Sequence, residues 1–449
     1  MENRTPTAEE YAANALEHGL FHGLKVVELG QYIAAPYAAE LLADGGADVV
    51  SIEPAYGSPT RFSDPLGGDG EGRQYVVKAR GKRSLPVTIG SPEGQKILAE
   101  LLADADVLVT NLRVSVANRL KLDWEHLAPK YPRLIFAEVR GFGETGPLAD
   151  AGCVDLVAQA SSGLLHATGR REEGRPKPPD VMIADFHAGS LLAFAIASAL
   201  YQRERTGTGQ KVSTSLLAAS FSIQHRRASS FARVDQAWQD ELREKTEALG
   251  QPGADDVEAI RDWRDQNVGT PPYFYNVYRM ADGEVALGAV AANGPHVLRA
   301  AGLDPDRLEN ATQMQGLTVA ETTDLVAAMF TQRSAPEVVA ELRALGVPAA
   351  QVQFLEEAIT DPTLVAAELW QRFDHPRLGP CVLPAAPVSF TASHFEPGTD
   401  TPEFGAHTDE IMRQLGYDEE TIARLVADGI IARGFGPENP SRPAGGVHR

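Results

Sequence analysis

Four acidic residues stand where their surroundings could turn a carboxylate into a reagent. Asp155 lies in Gly152-Cys153-Val154-Asp155-Leu156-Val157, an acid inside an apolar run. A buried carboxylate is costly without partners, and burial moves its pKa toward values useful for attack or proton transfer. A partnered structural acid fits the same position. Glu144 sits in the glycine turn Gly141-Phe142-Gly143-Glu144-Thr145-Gly146, where a ligand can approach the backbone closely. Glu172 and Glu173 lie in Gly169-Arg170-Arg171-Glu172-Glu173-Gly174, beside arginines that would keep them ionised and nucleophilic. An ordinary surface loop has the same composition.

The cations cluster as well. Lys78, Arg80, Lys82 and Arg83 fall within six positions, Arg113, Arg119 and Lys121 flank one predicted strand end, and Arg140 closes another. Ligands of open α/β sheets sit outside the carboxyl ends of the strands, so cations there suit a polyphosphate. The alternative is a solvated charged face.

Several chemistries lack their residues. The glycine turn at 141–146 matches a dinucleotide fingerprint, but Pro147 follows and no amphipathic helix opens after it. There is no phosphate-loop motif, no His-Glu-x-x-His, and the 11 histidines are scattered, so no metal site is expected. The formal net charge of −20 argues against nucleic acid and against anionic membranes. Two cysteines, Cys153 and Cys381, make no disulfide framework and suit a reducing compartment. The first residues carry no apolar signal core, and Leu191–Leu200 is too short to span a bilayer. The expected address is the cytoplasm, with no membrane partner.

The elements that must hold these residues alternate through the first half. Leu24–Leu29, Asp48–Ile52, Ser84–Ile89, Asp106–Val109, Leu134–Val139 and Gly209–Ser215 read as strands. Helices are expected over Pro36–Leu42, from Ser91 as N-cap with Pro92 at the first position, and over Ala188–Gln202. This is the pattern of a parallel α/β sheet. The stretch 232–267 is charged and helix-prone. Gly283–Val290 opens a second apolar region with three helices to Leu345. Phe373–Phe390 reads as loop, with prolines at 376, 380, 384 and 387, and two helices follow at Thr408–Leu415 and Asp418–Asp428.

Taken together, these segments resemble the class III CoA-transferase family, which includes formyl-CoA transferase, carnitine CoA-transferase and α-methylacyl-CoA racemase. The resemblance rests on Gly23–Leu29, Ala34-Ala35-Pro36-Tyr37-Ala38, Leu41–Val50, Gly81-Lys82-Arg83-Ser84, Asp106–Arg113, Gly141-Phe142-Gly143, Thr206–Gln210 and Gly405–Glu410. It covers about residues 23 to 432. It implies a Rossmann-like large domain plus a small α+β domain, in an interlocked dimer. The boundaries it suggests are 1–231 and 373–433 for the large domain, 232–280 for a linker arm, 281–372 for the small domain, and 434–449 for a flexible tail. A homodimer is expected, with a heteromer as the alternative.

The resemblance also implies chemistry. A carboxylate attacks an acyl-CoA thioester to give a mixed anhydride, CoA thiolate returns to leave an enzyme thioester, and an acceptor acid reverses the steps. No cofactor is bound permanently; coenzyme A arrives as acyl-CoA, and a carboxylic acid is the second substrate. CoA contacts carry over to Asn111, Arg119 and Arg140, and backbone contacts to Ala34 and Val87. Pro54 stands where some members use arginine, and Lys82 or Arg83 could substitute. The family nucleophile follows Thr-Gly by three residues, and Thr168-Gly169 places Glu172 there. Asp155 matches the acid of the racemases, whose other partner falls on Glu125, beside His126. Transfer is the leading reading. A racemase using Asp155, or a CoA-binding subunit without chemistry, are the alternatives. Tyr273, Phe274, Tyr275 and Tyr278 could line the acyl pocket or pack the small domain.

Overall fold

A computed structural model describes residues 18–66, 71–168, 171–173, 175–250, 253–267 and 272–435. Two compact units result. The larger takes the described residues up to Ser230 and from Glu368 onward; the smaller spans Phe231–Ala367.

The larger unit is built on β1 (Lys25–Leu29), α1 (Ala34–Asp44), β2 (Asp48–Glu53), α2 (Arg73–Ala79), β3 (Arg83–Pro86), α3 (Pro92–Ala103), β4 (Val107–Thr110), α4 (Val114–Leu120), β5 (Ile135–Arg140), α5 (Asp155–Ser161), α6 (Ile183–Thr206), β6 (Lys211–Ser215) and α7 (Leu216–Ile223). The six strands form one parallel sheet in the order β3-β2-β1-β4-β5-β6. Parallel strands are covered on both faces, which is why KVVEL, VLVT and IFAEVR carry so few polar residues. On one face Val26, Val49, Val107, Val109 and Ala137 pack against α1 and α6. On the other, Val27, Val50, Leu108 and Phe136 meet α3 and the two C-terminal helices.

Small residues set the approach of α1 to α6. Ala35, Ala38, Ala39, Ala184 and Ala188 are buried at this contact. A Cβ on Gly189 would lie 2.7 Å from the carbonyl oxygen of Ala34 and 2.9 Å from the Tyr37 ring. The expected cap of α3 is present: Ser91 accepts from the Gly94 N–H at 3.0 Å, with Pro92 first in the helix.

Helix α6 begins at Ile183 rather than Ala188, for a reason given below. It is long and apolar enough to cross a membrane by length and composition alone, yet Ala184, Ala188, Leu192, Ile196 and Ala199 are buried in the core.

The smaller unit holds the two charged helices α8 (Ala232–Ala248) and α9 (Ala254–Asn267), then β7 (Tyr275–Arg279), β8 (Glu284–Gly288), α10 (Gly294–Ala300), α11 (Val319–Phe330), α12 (Ala335–Ala344) and β9 (Ala349–Gln351). Its antiparallel sheet runs β9-β8-β7, so the end of the expected arm supplies a strand. Tyr273, Phe274 and Tyr278 fill this unit's own core, and only Tyr275 of that cluster is exposed.

The chain re-enters the larger unit through β10 (Trp370–His375) and β11 (Gly379–Pro384), then α13 (Thr408–Gln414) and α14 (Glu419–Ala427). The hairpin replaces the loop expected over 373–390. An isolated two-stranded ladder consists only of edges, where prolines such as Pro380 and Pro384 are tolerated.

Candidate active site

Strand order reverses between β1 and β4, and the loops leaving their carboxyl ends flank that point. Asn111, next after β4, clamps the β1 loop: its Oδ1 accepts from the Gln31 N–H at 3.0 Å and its Nδ2 donates to the Gln31 carbonyl at 2.7 Å. Tyr32 follows with φ of 65°, in the left-handed region. This strained turn starts α1 at Ala34 with no side-chain cap, so the first backbone N–H groups of the helix remain to be satisfied.

Two acids face helix ends from across the chain. Asp155 opens α5, and its Oδ1 accepts from the backbone N–H groups of Ala184 at 2.8 Å and Asp185 at 3.1 Å. Its other oxygen accepts from Gln159. Asp155 is thus the cap that lets α6 begin at Ile183. Asp185, in the first turn of α6, in turn faces the N–H of Ala34 in α1, which favours its charged form. Each carboxylate faces the positive end of a helix that is not its own.

The environments of the two differ. Both carboxylate oxygens of Asp155 are engaged. Asp185 is half-buried, and its carboxyl is pushed up to about 7, first by burial and next by the negative charge of Asp155; Lys78 and the Ala34 N–H pull the other way. The Cys153 thiol is pushed up to about 11 by burial and by both acids, which places all three groups within one electrostatic neighbourhood. Cys153 also explains Gly141: a Cβ there would sit 2.3 Å from that of Cys153. The glycine turn after β5 is thereby pinned beside the acids, with Gly143 and Gly146 at positive φ.

The remaining sequence candidates fall in different places. Glu144 bonds Lys211 at 2.8 Å and Ser213, contacts that hold its carboxyl below the usual range and strap the turn to β6. Glu172 is exposed and ion-paired with Lys177 at 3.1 Å; Gly169 and Arg170 before it lie outside the described residues. Arg140 gives Nη2 to Glu138 at 2.6 Å, while its buried Nε and Nη1 find no acceptor among the described residues. Arg119 is exposed on α4. Val87 is buried just past β3 and bridges Ile431. Ala34 meets Asp185 as described. Lys82 is buried, with Nζ at 2.7 Å from Glu28 and 2.8 Å from the Pro36 carbonyl. Arg83 pairs with Asp48 and Glu410 at the amino end of β3, opposite the carboxyl edge. The structure therefore gathers Asp155, Ala34 and the glycine turn, and brings neither Glu172 nor Arg83 to them.

Asp185 was not among the residues the sequence singled out. One signal was available: between Asp180 and Glu204 it is the only acidic residue, in a stretch with no lysine or arginine before Arg203.

Residues 21–408 match the profile of CoA-transferase family III, and the chain belongs to that family. It is 30% identical over 438 residues to an acyl-CoA transferase of Fusarium pseudograminearum, covering 92% of this chain and 88% of the relative. It is 29% identical to the cinnamoyl-CoA:phenyllactate CoA-transferase of Clostridium sporogenes, covering 91% and 96%. Among solved structures, a CAIB/BAIF family protein from Brucella suis superposes with a TM-score of 0.67 at 24% identity, over 89% of this chain and 100% of the other. That likeness concerns the fold.

Proposed function

We propose that this protein moves CoA from an acyl-CoA thioester to a carboxylic acid, with Asp185 as the attacking carboxylate. The carrying observation is the placement of Asp185, where the first turn of α6 meets the uncapped start of α1 beside a glycine turn. An Asp185 oxygen attacks the thioester carbonyl, the C–S bond breaks, and CoA leaves as thiolate. The thiolate then attacks the aspartyl carbonyl of the anhydride, releasing the first acid and leaving an aspartyl thioester. The acceptor carboxylate reverses both steps. Asp155 positions this group by fixing the α6 terminus that carries it. The relatives' names support an acyl-CoA donor and an acid acceptor.

CoA would lie at the reversal between β1 and β4, and the strand order supports the Rossmann-like description of the larger unit. Arg140, with two unsatisfied nitrogens, and exposed Arg119 are its cationic contacts in this reading. An interlocked homodimer is supported by two features. The chain leaves the larger unit at 230 and returns at 368, and Leu156, Phe194, Tyr201 and Phe221 leave apolar surface exposed. The unpaired Cys153 and Cys381 support a cytoplasmic address.

Incubation with a panel of acyl-CoA donors, followed by intact-protein mass spectrometry, tests the nucleophile. A hydroxylamine-sensitive adduct should form on the wild type and on Glu172→Ala but not on Asp185→Asn, whose turnover should fall by at least ~10³-fold. An adduct on Asp185→Asn, or its loss in Glu172→Ala, would return the role to Glu172.

A further inference from the structure

Three buried cations come from one short stretch, Lys78, Arg80 and Lys82, and two of them are spent locally. Lys82 binds Glu28 at 2.7 Å. Arg80 bridges Glu40 at 2.7 Å and Asp44 at 3.1 Å. Lys78, at the end of α2, has no ion pair among the described residues; its Nζ donates to the neutral amide of Gln74 at 2.7 Å. Among the neighbouring anions the balance is reversed. Glu28, Glu40 and Asp44 have direct cationic partners, and Asp155 is satisfied by two backbone N–H groups and Gln159. Asp185 faces the Ala34 N–H and has no ion pair among the described residues. One buried ammonium and one half-buried carboxylate are left over, and they flank the same helix start: Lys78 lines a cavity with Gly30, Tyr32 and Pro36 where α1 begins, and Asp185 faces Ala34 of that first turn, so each feels the other's charge.

We infer that Lys78 is a positioning residue that holds Asp185 in its charged, attacking form from beyond ion-pair distance. This rests on the reading of Asp185 as the nucleophile. An uncompensated buried ammonium is expensive, so its retention calls for a return. The separation also has a chemical use. A direct ion pair would occupy the oxygens that must attack, whereas a nearby charge favours ionisation and leaves them free. The other charges around Lys78 are Glu40, Glu28 and Lys82; around Asp185 the other acid is Asp155. Burial and Lys82 pull Lys78 down to about 8, so its charge persists through neutral pH and fades above it.

Infrared pH titration of the full-length protein without substrate tests this, taking as the Asp185 signal the protonated-carboxyl band missing from Asp185→Asn. In Lys78→Met the protonation midpoint should rise by about one unit or more, and Lys78→Arg should restore it. Transfer by Lys78→Met should lose activity at neutral pH and regain it as the pH rises. An unmoved midpoint in Lys78→Met overturns the role. If that variant does not fold, Gln74→Glu keeps Lys78 but engages it directly, and should raise the Asp185 midpoint; no rise overturns the role equally. An acyl adduct persisting in Asp185→Asn is a different result, which overturns the nucleophile reading itself.

Discussion

Asp185 and Glu172 show how little a carboxylate's type says about its use. Glu172, flanked by arginines in sequence, is exposed and ties up with Lys177. Asp185 has no charged neighbour within four positions in sequence, yet burial and Asp155 push its carboxyl from 3.8 to about 7. The attack requires the ionised form, so kcat/KM for transfer should rise with pH through a midpoint near 7; a flat profile across that range would exclude Asp185 as the titrating group. The same shift carries a stability sign. A carboxyl whose folded pKa is raised contributes stability fully below its unfolded pKa and loses it as pH rises through about 7. Asp185→Asn should therefore melt higher than the wild type at pH 8 by an amount worth about 1 kcal/mol or more. The gap should narrow at pH 5 and close only below the unfolded value of 3.8. Thermal melts at the two pH values check this.

At the scale of elements, the decisive contact is that of α1 with α6. Periodicity placed the apolar helix from Ala188, because the turn before it carries polar and aromatic residues that no local rule resolves. Its true start depends on Asp155, nearly thirty residues earlier, reaching the N–H groups of Ala184 and Asp185. Gly189 then sets the helix separation. Gly189→Ala should push Ala34 away, costing about 1–3 kcal/mol of stability, and should weaken transfer further because Ala34 serves Asp185. Denaturant melts and kcat measure the two effects; a stable variant of full activity would show that the contact can relax. The hairpin over Trp370–Pro384 was illegible for a related reason: its prolines argue against a strand until the ladder is seen to have only edges.

For the whole molecule, the −20 charge hides its distribution. Several basic residues expected to face a polyphosphate are instead buried among acids beneath α1, where Arg80 and Lys82 pair with Glu40, Asp44 and Glu28 and Lys78 biases Asp185. The apolar surface at Phe194, 72% exposed, has the character of an interface. Phe194→Asp should convert the proposed homodimer to a lower-mass species in analytical ultracentrifugation. A wild type that sediments as a monomer would refute the dimer outright.

The sequence alone determined the six parallel strands, because strands buried on both faces must be apolar runs separated by turns, and it determined the family, because its segments occur in order along the chain. It also singled out Asp155 and the glycine turn, which the structure brings near Asp185. Which acid would be desolvated was decided only in three dimensions. The partners of Asp185 are Ala34, Lys78 and Asp155, drawn from α1, α2 and α5, and a pKa is set by what surrounds a group in space rather than by what adjoins it along the chain.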